Sequence, residues 1–482
     1  MRARTNTPRW ELAATAGVLL YAAARLVYLA LSLDPSLPPD EITHVGQARH
    51  QVAYWGSPVD TESSYVHGLV SHRPFGYAWL LARWLALDPG LTSELVWLRL
   101  ANIGLAGLTL LAALSWARRA GAGPGERVLL ALLLTNLPMW SFLSASVSYD
   151  NLAMALATLA FALLARYLDE HSPEALLGLA AVLLLGVLTK AALLPFAALV
   201  ALALLASERG AALRGGLTAL RRPQIARPGI AALLAVTLGL AALAGALYGR
   251  NLAKFGVLEP AANQVLPLEA ARRNRIFLQE HVLRSYRAGA IDQQQAASEL
   301  QRIEHPADRA GAMWLLRRAR ELREGTGEPL VGRVRYATLW LPLMAERLFG
   351  VMGHRALYKS GLLAAAYSAV ALGALAALAW RVRRPGVHLR IAAGVALGYA
   401  LILMQLVNLP IYRASGLEVE AVQGRYLFPV LAPLLSAAII ASRALLPARA
   451  RVPVAIAVAL LFVLGDFPYL LWQAGPEWWG EP

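Results

Sequence analysis

The chain has 482 residues, of which 58% are hydrophobic and only 16% charged, and its mean hydropathy is +0.50. Soluble domains fall well below that apolar share, and the short alternating segments of a β-barrel are absent. The net charge of +15 sits largely in Arg-rich loops between apolar runs, without a basic helix or an RNA-binding signature, so no nucleic-acid partner is expected; the lack of cysteine excludes disulfides, thiolate metal sites and cysteine nucleophiles.

About eleven apolar runs approach or exceed the length that crosses a bilayer, and in hydrocarbon such runs must be helical. They predict an all-α polytopic membrane protein with spans near 11–33, 95–117, 128–147, 150–167, 174–189, 191–207, 229–248, 357–381, 388–410, 425–443 and 452–473. The first follows Arg2, Arg4 and Arg9 and reads as a signal anchor, being long and without a convincing cleavage site. With the N-terminus in the cytoplasm, the inside loops carry Arg118, Arg119 and Arg127; Arg209, Arg214, Arg221, Arg222 and Arg227; Arg381, Arg383, Arg384 and Arg390; and Arg443, Arg449 and Arg451. Only the tight turn around Asp169–His171 breaks that pattern. Two long segments then fall outside, 34–94 and 249–356, the second with helical stretches near 266–287 and 291–323. The chain divides accordingly into a first transmembrane module over 1–248, a helical outer loop over 249–356 and C-terminal spans over 357–482.

In chain order, the first chemistry follows Pro38-Pro39. Asp40 is placed to cap a helix, and His44 lies one turn along on the same face. Ile42, Val45, Val52, Tyr54 and Trp55 make that helix amphipathic, suited to the outer interface. A carboxylate and an imidazole thus project together, with a plain cap and a solvated histidine as the alternative. Glu41 is expected to complement the helix dipole. Ser71-His72-Arg73-Pro74-Phe75 returns the chain to the membrane, as an interfacial anchor or as a second wall of the Asp40 site. Asp150 opens the fourth span. Lys190 separates the fifth and sixth, Arg250-Asn251 follows the seventh, and Gln423-Gly424-Arg425-Tyr426 opens the tenth. All of these map to one side, where ionisable residues near membrane depth mark function and single cations otherwise snorkel. Arg25, inside the first span, is expected to pack or snorkel. A carboxylate facing cations suits proton abstraction from a hydroxyl while Arg and Lys hold a phosphate.

The order of these motifs resembles the GT-C superfamily of membrane glycosyltransferases, which includes protein O-mannosyltransferases, oligosaccharyltransferases and lipid A aminoarabinose transferases. It is most similar to a bacterial family with an outer-loop Pro-Asp-Glu-x-x-His motif, here Pro39-Asp40-Glu41-Ile42-Thr43-His44. The other matching segments are His72-Arg73-Pro74-Phe75, Ser148-Tyr149-Asp150, Arg250-Asn251 with Gly256, and Gln423-Gly424-Arg425-Tyr426 with Pro429. The resemblance covers about 38–440. It implies a polyprenyl-phosphate-linked sugar donor, a glycan, lipid or protein acceptor, and a site on the outer face of the bacterial cytoplasmic membrane. It implies catalytic roles for Asp40, Glu41 and His44, with Asp40 as the base. Phosphate or substrate contacts would come from His72, Arg73, Asp150, Lys190, Arg250, Asn251, Arg425 and Tyr426. It often implies a divalent metal ion, for which Asp40 and His44 are the candidate ligands. The long helical second outer loop departs from the family pattern. The alternatives are a transporter or flippase of a lipid-linked glycan, for which no inverted repeat is visible, and an O-antigen polymerase or ligase.

Overall fold

The computed structural model describes residues 8–56, 61, 64–68, 70–207, 227–304, 306–352, 355–357, 361–381, 386–418, 420 and 422–480. Arg2, Arg4, Arg209, Arg214, Arg221, Arg222, Arg383 and Arg384 lie outside these. The helices, in order, are α1 (Arg9–Ser32), α2 (Glu41–Gln51), α3 (Gly76–Leu85), α4 (Glu94–Arg119), α5 (Pro124–Thr135), α6 (Pro138–Ser144), α7 (Tyr149–Glu170), α8 (Pro173–Thr189), α9 (Leu193–Ala206) and α10 (Pro228–Phe255). In the segment 249–356, two single-turn helices precede α11 (Arg275–Arg287), α12 (Gln293–Leu300), α13 (Pro306–Glu324) and α14 (Arg333–Phe349). The C-terminal part holds α15 (Gly361–Arg381), α16 (Val387–Ile402), α17 (Leu409–Ser415), α18 (Phe428–Leu445), α19 (Ala448–Gly465) and α20 (Phe467–Gln473). Between α14 and α15, Val351–Met352 and Arg355–Ala356 form a minimal antiparallel hairpin. The chain is an all-α polytopic membrane protein.

Among the described residues, eight helical segments are long and apolar enough to span a bilayer, or nine if α5 and α6 count as one. Four expected spans come out differently. The run at 128–147 is broken into α5 and α6, which meet at 69°. Pro138 starts the second piece, and the residue before a proline is driven out of the helical region; Leu137 accordingly has ψ 117. The runs at 174–189 and 191–207 become α8 and α9, of 17 and 14 residues. At 1.5 Å per residue, α9 reaches roughly 21 Å, short of a hydrocarbon core of about 30 Å. The last span pauses at Asp466, between α19 and α20.

Arg25 joins the two breaks. It is 2% exposed, so it packs. Its Nη1 donates to Asn136 Oδ1 and Asp466 Oδ2, each at 2.6 Å, and its Nη2 donates to the Thr135 carbonyl that the α5 break leaves without a helical partner. Ser141 Oγ donates to Asp466 Oδ2 at 2.7 Å. Breaks at membrane depth are tolerated where such partners satisfy the backbone.

The segment 34–94 packs α2 against α3 and α4. Val45 buries with Tyr77, Leu81 and Leu98, whereas Ile42 and Trp55 stay exposed. The segment 249–356 carries its own small core, in which Leu278, Val282 and Leu283 of α11 meet Leu300 of α12 and Leu316 of α13. Residues 403–408, between α16 and α17, form a π-helical turn held by a 2.9 Å hydrogen bond from Trp340 Nε1 to Asn408 Oδ1. At the end of the bundle away from α2, charged residues pair between helices. Arg119 meets Asp169 and Glu170 at 3.2 and 2.8 Å, His388 meets Asp169 at 3.0 Å, and Arg443 meets Glu126 at 3.0 Å.

Candidate active site

Asp40 occupies the position before α2 in a left-handed conformation, φ 63 and ψ 11, and its side chain makes no capping hydrogen bond. Asp tolerates this region better than most residues, yet a non-glycine residue held there costs on the order of 1–3 kcal/mol unless its surroundings fix it. Its carboxylate turns away from the α2 amides, and Oδ2 lies 3.3 Å from Arg425 Nη2.

Glu41 stands in the first turn of α2, as expected, and it has a further role: it is 1% exposed and accepts Arg99 Nη2 and Nε at 2.6 and 3.0 Å and the Val147 amide at 2.7 Å. Burial pushes its carboxyl up, while Arg99 and the Val147 amide pull it back. Arg99 Nη1 in turn donates to the Ala30 and Leu33 carbonyls at the end of α1.

The Asp150 carboxylate does not cap α7. Ser148 does, accepting the Asp150 amide with its Oγ at 3.3 Å. Asp150 Oδ1 instead receives Lys190 Nζ at 2.5 Å, and Oδ2 lies 3.4 Å from Arg425 Nη1. Lys190 sits where α8 ends, with Nζ 4.4 Å from the Tyr149 ring centre and 5.2 Å from that of Tyr426. Arg425 is 3% exposed, and Gln423 Oε1 accepts its Nε at 2.5 Å. Gly424 makes this placement possible: a Cβ there would stand 2.5 Å from Leu348 Cα and 2.6 Å from the Arg347 carbonyl oxygen. Four ionisable groups from four distant stretches of chain therefore form one cluster of two carboxylates and two cations, with Asp150 bridging Lys190 and Arg425.

His44 lies beside the cluster but is not solvated. It is 3% exposed, with its ring 4.5 Å from Tyr149 and 5.6 Å from Tyr77. Burial lowers its pKa to about 4, with Asp40 and Asp150 pulling the other way, so the imidazole is neutral at neutral pH. Its Nε2, together with Arg425 Nη1 and Asp150 Oδ2, is buried without a hydrogen-bond partner among the described residues. Three such atoms around one cluster call for an explanation.

His72, Arg250 and Asn251 meet at the end of α10, and the neighbouring Arg73 is close enough for its charge to act on Tyr149 beside the cluster. Arg250, exposed, donates to the Ser71 carbonyl, and Asn251 Nδ2 donates to the His72 and Leu258 carbonyls at 3.0 and 2.8 Å. His72 sits 5.4 Å from the Phe255 ring. These contacts pin the Ser71–His72 segment to α10, and Arg73 is exposed beside it. Among the described residues no group of three His, Asp or Glu side chains offers a metal a ligand set. Asp40 and His44 do not make one by themselves, with Asp40 turned to a guanidinium and His44 lodged between tyrosine rings. The reading from sequence passed over Arg99 and named Tyr149 only as part of the Ser148-Tyr149-Asp150 segment. Arg99 lies inside the expected span 95–117, where a charge is itself a signal.

No protein-family model and no curated protein matches the chain. Several solved structures do. The oligosaccharyltransferase of Archaeoglobus fulgidus in complex with Zn and sulfate aligns with a TM-score of 0.49 at 14% identity, over 96% of this chain and 53% of that one. Its apo form gives 0.47 at 14% identity, over 97% and 56%. ArnT from Cupriavidus metallidurans bound to undecaprenyl phosphate gives 0.37 at 17% identity, over 90% and 78%. The chain thus spans about half the length of the archaeal protein.

Proposed function

We propose that the chain is a membrane glycosyltransferase that moves a sugar from a polyprenyl-phosphate carrier to an acceptor at the outer face of the cytoplasmic membrane. The observation that carries this reading is the convergence of Arg425 and Lys190 on Asp150, with Asp40 across from Arg425. The cations stand at the ends of apolar helices, where a phosphate can sit at the interface while its tail stays in the bilayer. Charge-assisted contacts of this kind are worth about 1.5–3 kcal/mol each.

In this reading the acceptor hydroxyl gives its proton to an Asp40 carboxylate oxygen, and the hydroxyl oxygen forms a bond to the anomeric carbon. The bond from that carbon to the phosphate oxygen breaks, and the electron pair leaves on the phosphate. Arg425 and Lys190 neutralise the charge that develops there. Arg425 Nη1, buried and without a hydrogen-bond partner among the described residues, would find its acceptor in a phosphate oxygen. A neutral His44 beside Asp40 suits a hydroxyl rather than an anion. The residues present do not by themselves fit a resident divalent ion, so the chemistry is assigned to the side chains alone.

The test is binding of undecaprenyl phosphate to the purified full-length protein in nanodiscs, together with sugar release from a glycosylated undecaprenyl-phosphate donor. Arg425→Ala should weaken binding at least tenfold, and Arg425→Lys should stay impaired because a point charge replaces a planar fork. Asp40→Asn should keep binding while turnover falls by roughly 10²–10⁴. Equal affinity in wild type, Arg425→Ala and Arg425→Lys would remove the phosphate site and favour a transporter.

A further inference from the structure

The Glu41–Arg99 pair touches neither cation of the cluster, yet it ties together the segments that carry both carboxylates. Glu41 is the residue after Asp40. Its Oε1 accepts the Val147 amide, three residues before Asp150, and both its oxygens are engaged by Arg99, which is 1% exposed. Arg99 also draws in the last carbonyls of α1, at Ala30 and Leu33. One ion pair therefore anchors the end of α1, the start of α2, the first turns of α4 and the turn into α7. It also fixes a neighbour of the left-handed Asp40, a conformation that needs its surroundings to hold it.

We propose that Glu41 and Arg99 are positioning residues that set Asp40 and Asp150 at their mutual distance around Arg425, and so shape the phosphate seat without contacting its ligand. This rests on the reading that Arg425 and Lys190 receive a phosphate. Small displacements of such groups are costly, roughly a hundredfold for about 1 Å. Replacing a buried pair with apolar residues of similar volume is often neutral for stability. Positioning and folding can therefore be separated.

The probe is undecaprenyl phosphate, bound to the full-length protein in nanodiscs. Glu41→Gln and the double variant Glu41→Met/Arg99→Met should weaken binding about tenfold or more. The double variant should keep a thermal midpoint near that of wild type. Hydrogen exchange should rise in peptides covering 36–46 and 145–152 and stay unchanged over 153–170, the rest of α7, and in α18. Because the effect runs through Asp150, Glu41→Gln should add little in an Asp150→Asn background, so that the two changes are non-additive. Wild-type affinity in the folded double variant, strict additivity with Asp150→Asn, or unfolding of every variant would each overturn the proposal; the last would make the pair a fold anchor. Indifference of binding to Arg425→Ala would instead sink the phosphate reading itself, which keeps the two failures distinct.

Discussion

His44 sits between Tyr149 and Tyr77 with almost no exposure, and that burial has a consequence for pH. Its pKa falls from an ordinary 6.5 to about 4. A depressed folded-state pKa contributes stability that is complete above 6.5 and lost as the pH falls towards 4, because the unfolded chain then binds a proton that the folded one refuses. Asp40, Asp150, Gln47 and Arg425 are the groups that act on it. At about 1.4 kcal/mol per unit the loss reaches roughly 3 kcal/mol. Thermal unfolding in detergent from pH 7.5 to 4.5 should therefore show wild type losing more stability than His44→Gln; parallel curves would refute the burial argument. At this scale the sequence was informative where a residue type had few uses. Asp40, Asp150, Lys190 and Arg425 stood out as ionisable groups at the ends of apolar runs, and Gly424 as a place for close backbone approach. Arg250 and His72 carried the same signal, and their hydrogen-bond and ring contacts run to each other's segments and to Phe255; sharing a side of the membrane does not say which helix ends adjoin. The role of Glu41 was illegible, since it depends on Arg99, 58 residues away.

Among the elements, the broken span α5–α6 matters most for the site. Without the turn forced ahead of Pro138, α6 would run on as a straight helix and Val147 would not reach Glu41. The break is held by Arg25, which also serves the pause at Asp466. Removing one partner of a buried pair leaves the other charge unpaired, at a cost of about 3–5 kcal/mol, whereas removing both with apolar residues is often neutral. Arg25→Leu should therefore lower the thermal midpoint sharply, and Arg25→Leu/Asp466→Leu should recover most of the loss. A double variant as unstable as the single would mean that the Thr135 carbonyl, rather than Asp466, is what Arg25 serves. Hydropathy located every apolar run, but the breaks were hidden because Pro138 and Pro468 look like tolerated prolines until their partners are known. The shortness of α8 and α9 was hidden for a related reason: Lys190 marks a boundary without telling whether the helices on either side cross the bilayer.

Over the whole molecule, the acidic turn at Asp169–His171 ceases to be an exception. Arg119 and His388 meet Asp169 and Glu170 there, so the negative turn is matched by basic neighbours from other helices. That end is expected in the cytoplasm and the cluster end outside. The chain has no cysteine, so single cysteines report sidedness directly. Ala288→Cys, exposed in the second outer segment, should react with an impermeant maleimide in intact cells, and Ala448→Cys, exposed at the other end, should react only after permeabilisation; the opposite pattern would invert the topology. The expected sidedness rests on the arginine distribution alone, while the separate core of α11–α13 was visible in the sequence only as helical stretches. The cluster bears on kinetics as well. The chain carries a net charge of +15, but its two carboxylates and two cations at the site cancel. In the proposed reading an arriving phosphate gains its contacts by taking Asp150's place beside Arg425 and Lys190. Binding of this kind is governed by exchange of partners and not by long-range attraction, so the association rate of undecaprenyl phosphate in zwitterionic nanodiscs should change little between low and physiological salt, although the Debye length shrinks across that range. A steep salt dependence would mean that the exposed arginines, rather than the buried pair, recruit the lipid.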